Sequence, residues 1–423
     1  MIRIPRTDKT AGAPGAGHDR SAQSPAARGR AAKSPAARSR SAESPAPAPQ
    51  PTPVRDGRSL LLDLGPDDFD RAVGARVAEL GEKPYRVRQI RDWVYRRLAG
   101  DFGEMTDLPL ALRRALGERW TLSVLEPEER AVSLDGTEKF IWRLGDGREV
   151  ESVSIPTGMK RTFCVSSQVG CPLACSFCAT GKLGYTRQLT AGEIVDQVRT
   201  LLRLTGDRRQ IGPARREPNV VFMGMGEPLL NLRNLLPGLA ALNHDAFLNF
   251  GARRITVSTS GVAPKIAELA AFNPQIKLAV SLHAPEDRLR DELVPLNRKY
   301  PLATLMDACR SFAATTGKRI TYEYIHLPGV NDLTEHPGRL RDLLEGIPAK
   351  INLIPYNPVP GLPYRSPTEA ESSDFLARLE STLRCSVTLR RPRGRDIGGA
   401  CGQLELERHP ERHAGPAPLV QVG

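Results

Sequence analysis

The stretch Cys171-Pro-Leu-Ala-Cys175-Ser-Phe-Cys178 limits this chain more than any other. Its three thiols, spaced C-x3-C-x2-C, can converge from one short loop onto one small object. Thiolates are soft ligands that suit zinc, copper(I) or iron–sulfur clusters. A closed structural zinc site wants four protein ligands. No fourth Cys or His lies nearby: Cys164, the nearest other cysteine, falls on the preceding apolar–polar run. A [4Fe–4S] cluster with one iron left open fits three cysteines better than closed zinc does. Three ordinary core cysteines are the bland alternative, and their density argues against it.

A loop of this kind needs a scaffold, and from about residue 160 the pattern supplies one. Strand candidates are 162–167, 219–223, 254–258, 277–282, 319–326 and 350–354, with amphipathic helical stretches between them. The clearest helix opens on a capping box, Thr190-Ala-Gly-Glu193, and places Ile194, Val195, Val198, Leu201 and Leu202 on one face. Six βα units predict a parallel sheet, open or closed into a barrel; periodicity does not separate the two. The cysteine loop follows the first strand and Gly224-Met-Gly-Glu227 the second. Ser258, Ser281-Leu282-His283 and Asn357 fall at later strand ends, which share one rim in such folds. Glycines after a strand are by themselves as good a turn as a ligand loop. Cys401, between small residues beyond the last helix, reads as an accessible thiol. Cys309 and Cys385 read as structural residues in helix and strand interiors.

Ahead of this core, residues 60 to 120 read as helices. Asp67 is a plausible cap. Residues 84–98 form an amphipathic pattern with Val87, Ile90, Trp93, Val94 and Leu98 on the apolar face; Arg86, Arg88, Arg91, Arg96 and Arg97 crowd elsewhere. Such arginines suit phosphate contact or a solvated face. Residues 121 to 155 alternate like strands, with Asp135-Gly136 a hairpin signal, and are expected to link the two domains. The expected organisation is therefore a disordered basic tail (1–55), a helical accessory domain (56–125), a β linker (126–156), the core (157–405) and a C-terminal tail (406–423).

Net charge is +12, which favours a polyanionic partner. Residues 1–55 hold ten Lys and Arg against three Asp and Glu, so the tail accounts for +7 and the rest for +5. Charge alone does not establish RNA binding. The tail, rich in Pro, Ala, Ser and Arg, cannot bury enough apolar surface to offset ordering entropy. It reads either as a salt-sensitive RNA arm or as a solvated extension. Seven cysteines, four of them within 164–178, do not form a disulfide framework. No membrane span or secretory signal is read, and a cytoplasmic monomer is expected.

The C-x3-C-x2-C motif, with Phe177 before its third cysteine, resembles the signature of the radical S-adenosylmethionine (SAM) superfamily. The surrounding words narrow it: Phe163-Cys164-Val-Ser-Ser-Gln-Val-Gly-Cys171, Met223-Gly-Met-Gly-Glu-Pro228, Ser258-Thr-Ser-Gly261, Ser281-Leu-His283-Ala-Pro, Ile354-Pro-Tyr-Asn357-Pro and Ala400-Cys401-Gly-Gln-Leu404. Together these resemble the RNA adenine methyltransferases of the RlmN/Cfr family over about residues 60 to 405. The resemblance implies an α/β fold, a partial (β/α)6 barrel with a small helical RNA-recognition domain. It implies a [4Fe–4S] cluster on Cys171, Cys175 and Cys178, and SAM held by Gly226, Glu227, Ser258, Ser281, Leu282, His283 and Asn357. It implies Cys401 as methyl carrier, Cys164 as the resolving thiol that ends in a disulfide with it, and Glu151 as proton acceptor. The proton's destination, Glu151 or Cys164, stays open. Implied partners are 23S rRNA, tRNA and an electron donor such as flavodoxin. One departure is Gly399 before Ala400, where family members often have two alanines. Adenine C2 is electron-poor and no ordinary base makes it a nucleophile, which argues against direct displacement on SAM; the resemblance implies that SAM is used twice, once to methylate Cys401 and once as the radical source. Rival readings are an adenine-C8 methyltransferase, a non-catalytic iron–sulfur RNA-binding regulator and a zinc-binding structural protein.

Overall fold

The computed structural model describes residues 56–158, 160–206 and 217–403. The expected tails 1–55 and 406–423, and Leu404, lie outside them. The helical segment comprises α1 (Pro66–Glu79), α2 (Arg86–Arg91) and α3 (Leu110–Arg119), clasped where β1 (Ser59–Leu60) pairs in parallel with β2 (Trp120–Thr121). The expected cap Asp67 is not one: Gly65 occupies the N-cap and Pro66 the first turn, with Asp67 beside it. Its charge there still favours the helix N-terminus. The stretch 84–98 is not one regular helix either. After α2 a π-helical turn spans Asp92–Arg96. The wider turn rotates the following side chains. Tyr95 becomes fully buried, while Trp93 stays at the edge and donates its indole N–H to Asp107 at 2.5 Å. Tyr95 packs on Phe69 of α1 and on Phe247, ring centroids 5.7 and 4.5 Å apart. Four of the five arginines meet acids: Arg86 with Glu82, Arg91 with Asp70, Arg96 with Asp92 and Arg97 with Asp107. Arg88 is exposed.

The remaining strands build one ten-stranded sheet and a small pair. β3 (Glu126–Val132), β4 (Glu138–Arg143), β5 (Glu149–Thr157) and β6 (Lys160–Cys164) are antiparallel neighbours. β7 (Gln168–Gly170) and β8 (Tyr185–Gln188) pair apart from them, around the cysteine loop and α4 (Ala179–Leu183). Then β9 (Asn219–Phe222), β10 (Ile255–Thr259), β11 (Lys277–Ser281), β12 (Ile320–His326), β13 (Ala349–Pro355) and β14 (Ser386–Leu389) add in parallel, in chain order, from the edge of β6. All six expected core strands are present. Their β-branched, wholly apolar segments, such as Leu278-Ala-Val280, are buried on both faces as parallel strands require. Two features differ from expectation. Residues 126–156 are not a simple link: they extend the sheet antiparallel, because β6 offers a free edge that β5 occupies. A seventh parallel strand, β14, follows the expected six; its four half-exposed residues carry too weak a pattern to read.

The crossover helices are α5 (Ala191–Thr205), α6 (Leu232–Asn243), α7 (Ala263–Phe272), α8 (Asp287–Leu293), α9 (Leu302–Thr316), α10 (His336–Leu343) and α11 (Glu369–Thr382). The capping box of Thr190 and Glu193 forms on α5, and its five expected apolar residues are buried. Two buried polar side chains of α5 dock the helical segment: Arg199 donates to the carbonyls of Ala99 (2.6 Å) and Leu122 (2.8 Å), and Asp196 accepts from Ser123 Oγ and Val124 N. Cys309 is buried in α9, but Cys385 is only half-buried, in the turn before β14. No helix among the described residues is long and apolar enough to cross a membrane.

Candidate active site at the strand ends

The cysteine loop is fixed by its backbone. Gly170 (φ +74°) lies so close to Gly184 that a Cβ would stand 1.9 Å from its carbonyl oxygen, and Cys171 N donates to that oxygen at 2.9 Å. Ser176 N donates to Leu293 O and Cys178 N to Cys175 O. The three thiols line one wall of a cavity that is partly open to solvent. Burial pushes all three thiols up, and the neighbouring cysteines push Cys171 and Cys175 further. Only a cationic centre would hold three such thiolates together. Among the described residues no three Cys, His, Asp or Glu close around a single ion-sized point. A cubane cluster binds each thiolate at a different iron and leaves one iron open, which suits three thiols on the wall of one cavity.

Opposite stands the loop after β9. Ser166 Oγ donates to Glu151 O (2.6 Å) and accepts from Met225 N (2.9 Å), while Glu227 N donates to Gln168 Oε1 (2.7 Å). The buried Glu227 carboxylate accepts from Leu229 N (3.1 Å) and Ser260 N (2.7 Å), joining two strand ends. Its burial raises its pKa, against the pull of those N–H groups. Gly226 (φ +96°) passes Gln168 so closely that a Cβ would sit 2.5 Å from Gln168 Cβ. Gly226→Ala should therefore displace this loop at a strain of ~1–3 kcal/mol, weakening SAM binding about tenfold or more. Equilibrium dialysis checks this, and parent-like affinity would show the loop is not a ligand cradle.

Ser258, Ser281 and His283 line the same cavity. His283 adopts φ 60°, and its Nδ1 accepts from Ile325 N at 3.1 Å, which leaves the proton on Nε2. Burial and the Arg290 charge hold its pKa down to about 3, so the ring is a neutral donor. Phe177 packs edge-on against it at 4.8 Å. Leu282 is core, its carbonyl taken by Arg290 Nε and its N–H by Glu323 O. Asn357 is buried just past β13 and is not on the cavity wall.

Sequence reading missed four residues here. Arg290 is buried and ties the strand ends by donating to Ser260 O, Ser281 O and Leu282 O. Asn331 fixes the His283 backbone by donating to its carbonyl at 2.9 Å. Glu323 and Arg390 line the cavity. Nothing local marked any of them: Arg390 follows β14, whose own pattern is too weak to read.

Cys401 is exposed and shares the cavity wall with the three thiols. Its turn is anchored where Ala179 N donates to Gly402 O (2.8 Å) and Gln403 Nε2 to Pro358 O (3.1 Å). The preceding segment is pinned to the β3–β4 hairpin, where Ser133 Oγ donates to Asp396 at 2.6 Å. Cys164 ends β6, buried. Burial and then Cys401 push its thiol up to about 12, and Arg390 acts the other way. Glu151 is fully buried on β5, on the same sheet face as Cys164. Neither Glu151 nor Cys164 forms part of the cavity wall.

The sequence model "Radical SAM superfamily" matches residues 165–336 and "Ribosomal RNA large subunit methyltransferase N-terminal domain" matches 67–122. The dual-specificity RNA methyltransferase RlmN of Anaeromyxobacter sp. (strain Fw109-5) is 47% identical over 376 residues, 88% of this chain and 97% of its own length. That of Geobacter sulfurreducens is 46% identical over 342 residues, 81% and 92%. The crystal structure of a radical SAM methyltransferase from Sphaerobacter thermophilus superposes with TM-score 0.77 at 44% identity, covering 82% of this chain and 99% of that one. Identity of this level across both the helical segment and the parallel sheet, with the thiols meeting at one rim, means that the chain belongs to the RlmN family of radical SAM RNA methyltransferases.

Proposed function

We propose that this enzyme methylates C2 of adenine in RNA, at adenine-2503 of 23S rRNA and adenine-37 of tRNAs. The observation that carries the reading is Cys401: an accessible thiol held by backbone hydrogen bonds on the wall that presents Cys171, Cys175 and Cys178. Those three residues would hold a [4Fe–4S] cluster. Gly226, Glu227, Ser258, Ser281 and His283 would hold SAM, with the Leu282 backbone and Asn357 supporting that pocket. When bound, the cluster supplies the electron that cleaves SAM, and SAM supplies the methyl carbon and the radical. Cys401 carries the carbon and presents it to adenine. Once the adduct has given its unpaired electron back to the cluster and lost the C2 proton, the Cys164 thiolate attacks the Cys401 sulfur; the S–C bond breaks, the carbon takes up a proton to become the methyl group, and a Cys164–Cys401 disulfide is left that an external thiol reduces. Glu151 or Cys164 receives the C2 proton. A flavodoxin-like protein is the expected electron donor.

Nucleoside analysis of rRNA and tRNA from cells lacking the protein tests this. Loss of 2-methyladenine from both RNAs is the expected result. Substrate RNA deuterated at C2 or C8 reports the position directly, and deuterium loss from C8 alone would assign the C8 reaction instead.

A further inference from the structure

Lysine is seldom buried unless paired, yet Lys139, on the second strand of the β3–β4 hairpin, is 6% exposed. Cross-strand register explains where it goes. Lys139 faces Val153, Ile141 faces Glu151, and Val153 faces Cys164. Directly opposed residues share a face, so Lys139, Glu151 and Cys164 all lie on one side of the sheet. The other side carries Ser152, bonded to Gln197 of α5. On the shared face Lys139 and Glu151 are diagonal neighbours, and Lys139 Nζ stands 3.9 Å from Glu151 Oε1. Arg130 and Arg161 both pair with Glu138, which points the other way.

We propose that Lys139 is a positioning residue for the methyl-transfer reaction: its ammonium keeps the buried Glu151 carboxylate ionised and in place to take the adenine C2 proton. This rests on the proposed adenine-C2 reaction. Burial favours the protonated form of a carboxylate, which is no base, and an ammonium beside it favours the ionised form. Stability alone does not call for the pair. Its neighbours on this face, Ile141 and Val153, are apolar, and an apolar pair of similar volume would hold the sheet about as well.

The test uses the reconstituted full-length enzyme and RNA carrying hydrogen or deuterium at adenine C2. Lys139→Met should lower kcat at saturating RNA about 100-fold, the usual scale of a lost general base, and match the loss in Glu151→Gln. A kinetic isotope effect from C2 deuterium should emerge, because proton removal becomes limiting. Lys139→Arg should recover most of the rate. Adding Lys139→Met to Glu151→Gln should cause no further loss, since the pair acts as a unit. If Lys139→Met does not fold, Lys139→Gln carries the same expectations. Parent-like turnover in Lys139→Met or Lys139→Gln overturns the inference. So does a loss that Arg fails to restore and that multiplies with the Glu151→Gln loss. An inactive parent enzyme instead overturns the adenine-C2 reading, and this inference falls with it.

Discussion

Replacing Cys164 with Ala should convert the enzyme into a trap for its own substrate. Cys401 remains on the cavity wall and can still accept a methyl group and join it to adenine. What the variant lacks is the thiol that attacks the Cys401 sulfur. That attack is the chemistry of disulfide exchange and needs a thiolate at close quarters. In the resting protein burial and Cys401 push the Cys164 thiol up to about 12, while Arg390 opposes them. The expected result is a slow, nuclease-sensitive protein–RNA band on a denaturing gel. The double change Cys164→Ala/Cys401→Ala should show none. Normal turnover of Cys164→Ala without a band would make Cys164 a core residue. A band surviving in the double variant would place the carrier elsewhere.

Cys175→Ala should have an effect as large by a different route. Anaerobic purification of the parent should yield a brown protein with about four irons per chain. The variant leaves two thiols on a wall where burial and mutual repulsion already disfavour thiolates. It should bleach and cease to cleave SAM, yet keep its fold by circular dichroism, because the loop is held by backbone bonds at Cys171, Ser176 and Cys178. A colourless, zinc-loaded and fully active parent would overturn the cluster assignment.

The contrast between the two sites shows what a linear pattern carries. The cysteine triad is a local device, three thiols within one loop, so spacing alone announced it. The six core strands and the α5 capping box were legible for the same reason: each depends on residues a few positions apart. The Trp93–Tyr95 exchange was not, since a π turn is stabilised by the docking of Tyr95 against Phe69 and Phe247 rather than by its own residues. Nor was the place of residues 126–156, whose alternation predicted strands without saying which edge would receive them.

The sequence by itself determined the three-thiol loop and the parallel βα order, and through resemblance it nominated Cys401 and Cys164 as the pair of thiols to test. Only the tertiary structure decided that the Cys401 turn is tied to the helix after Cys178, that Arg390 of an unexpected seventh strand reaches the cavity, and that Lys139 meets Glu151. Composition and spacing encode interactions between near neighbours. Which distant groups meet depends on strand register and sheet order, where a slip of one residue would turn Lys139 and Glu151 to opposite faces.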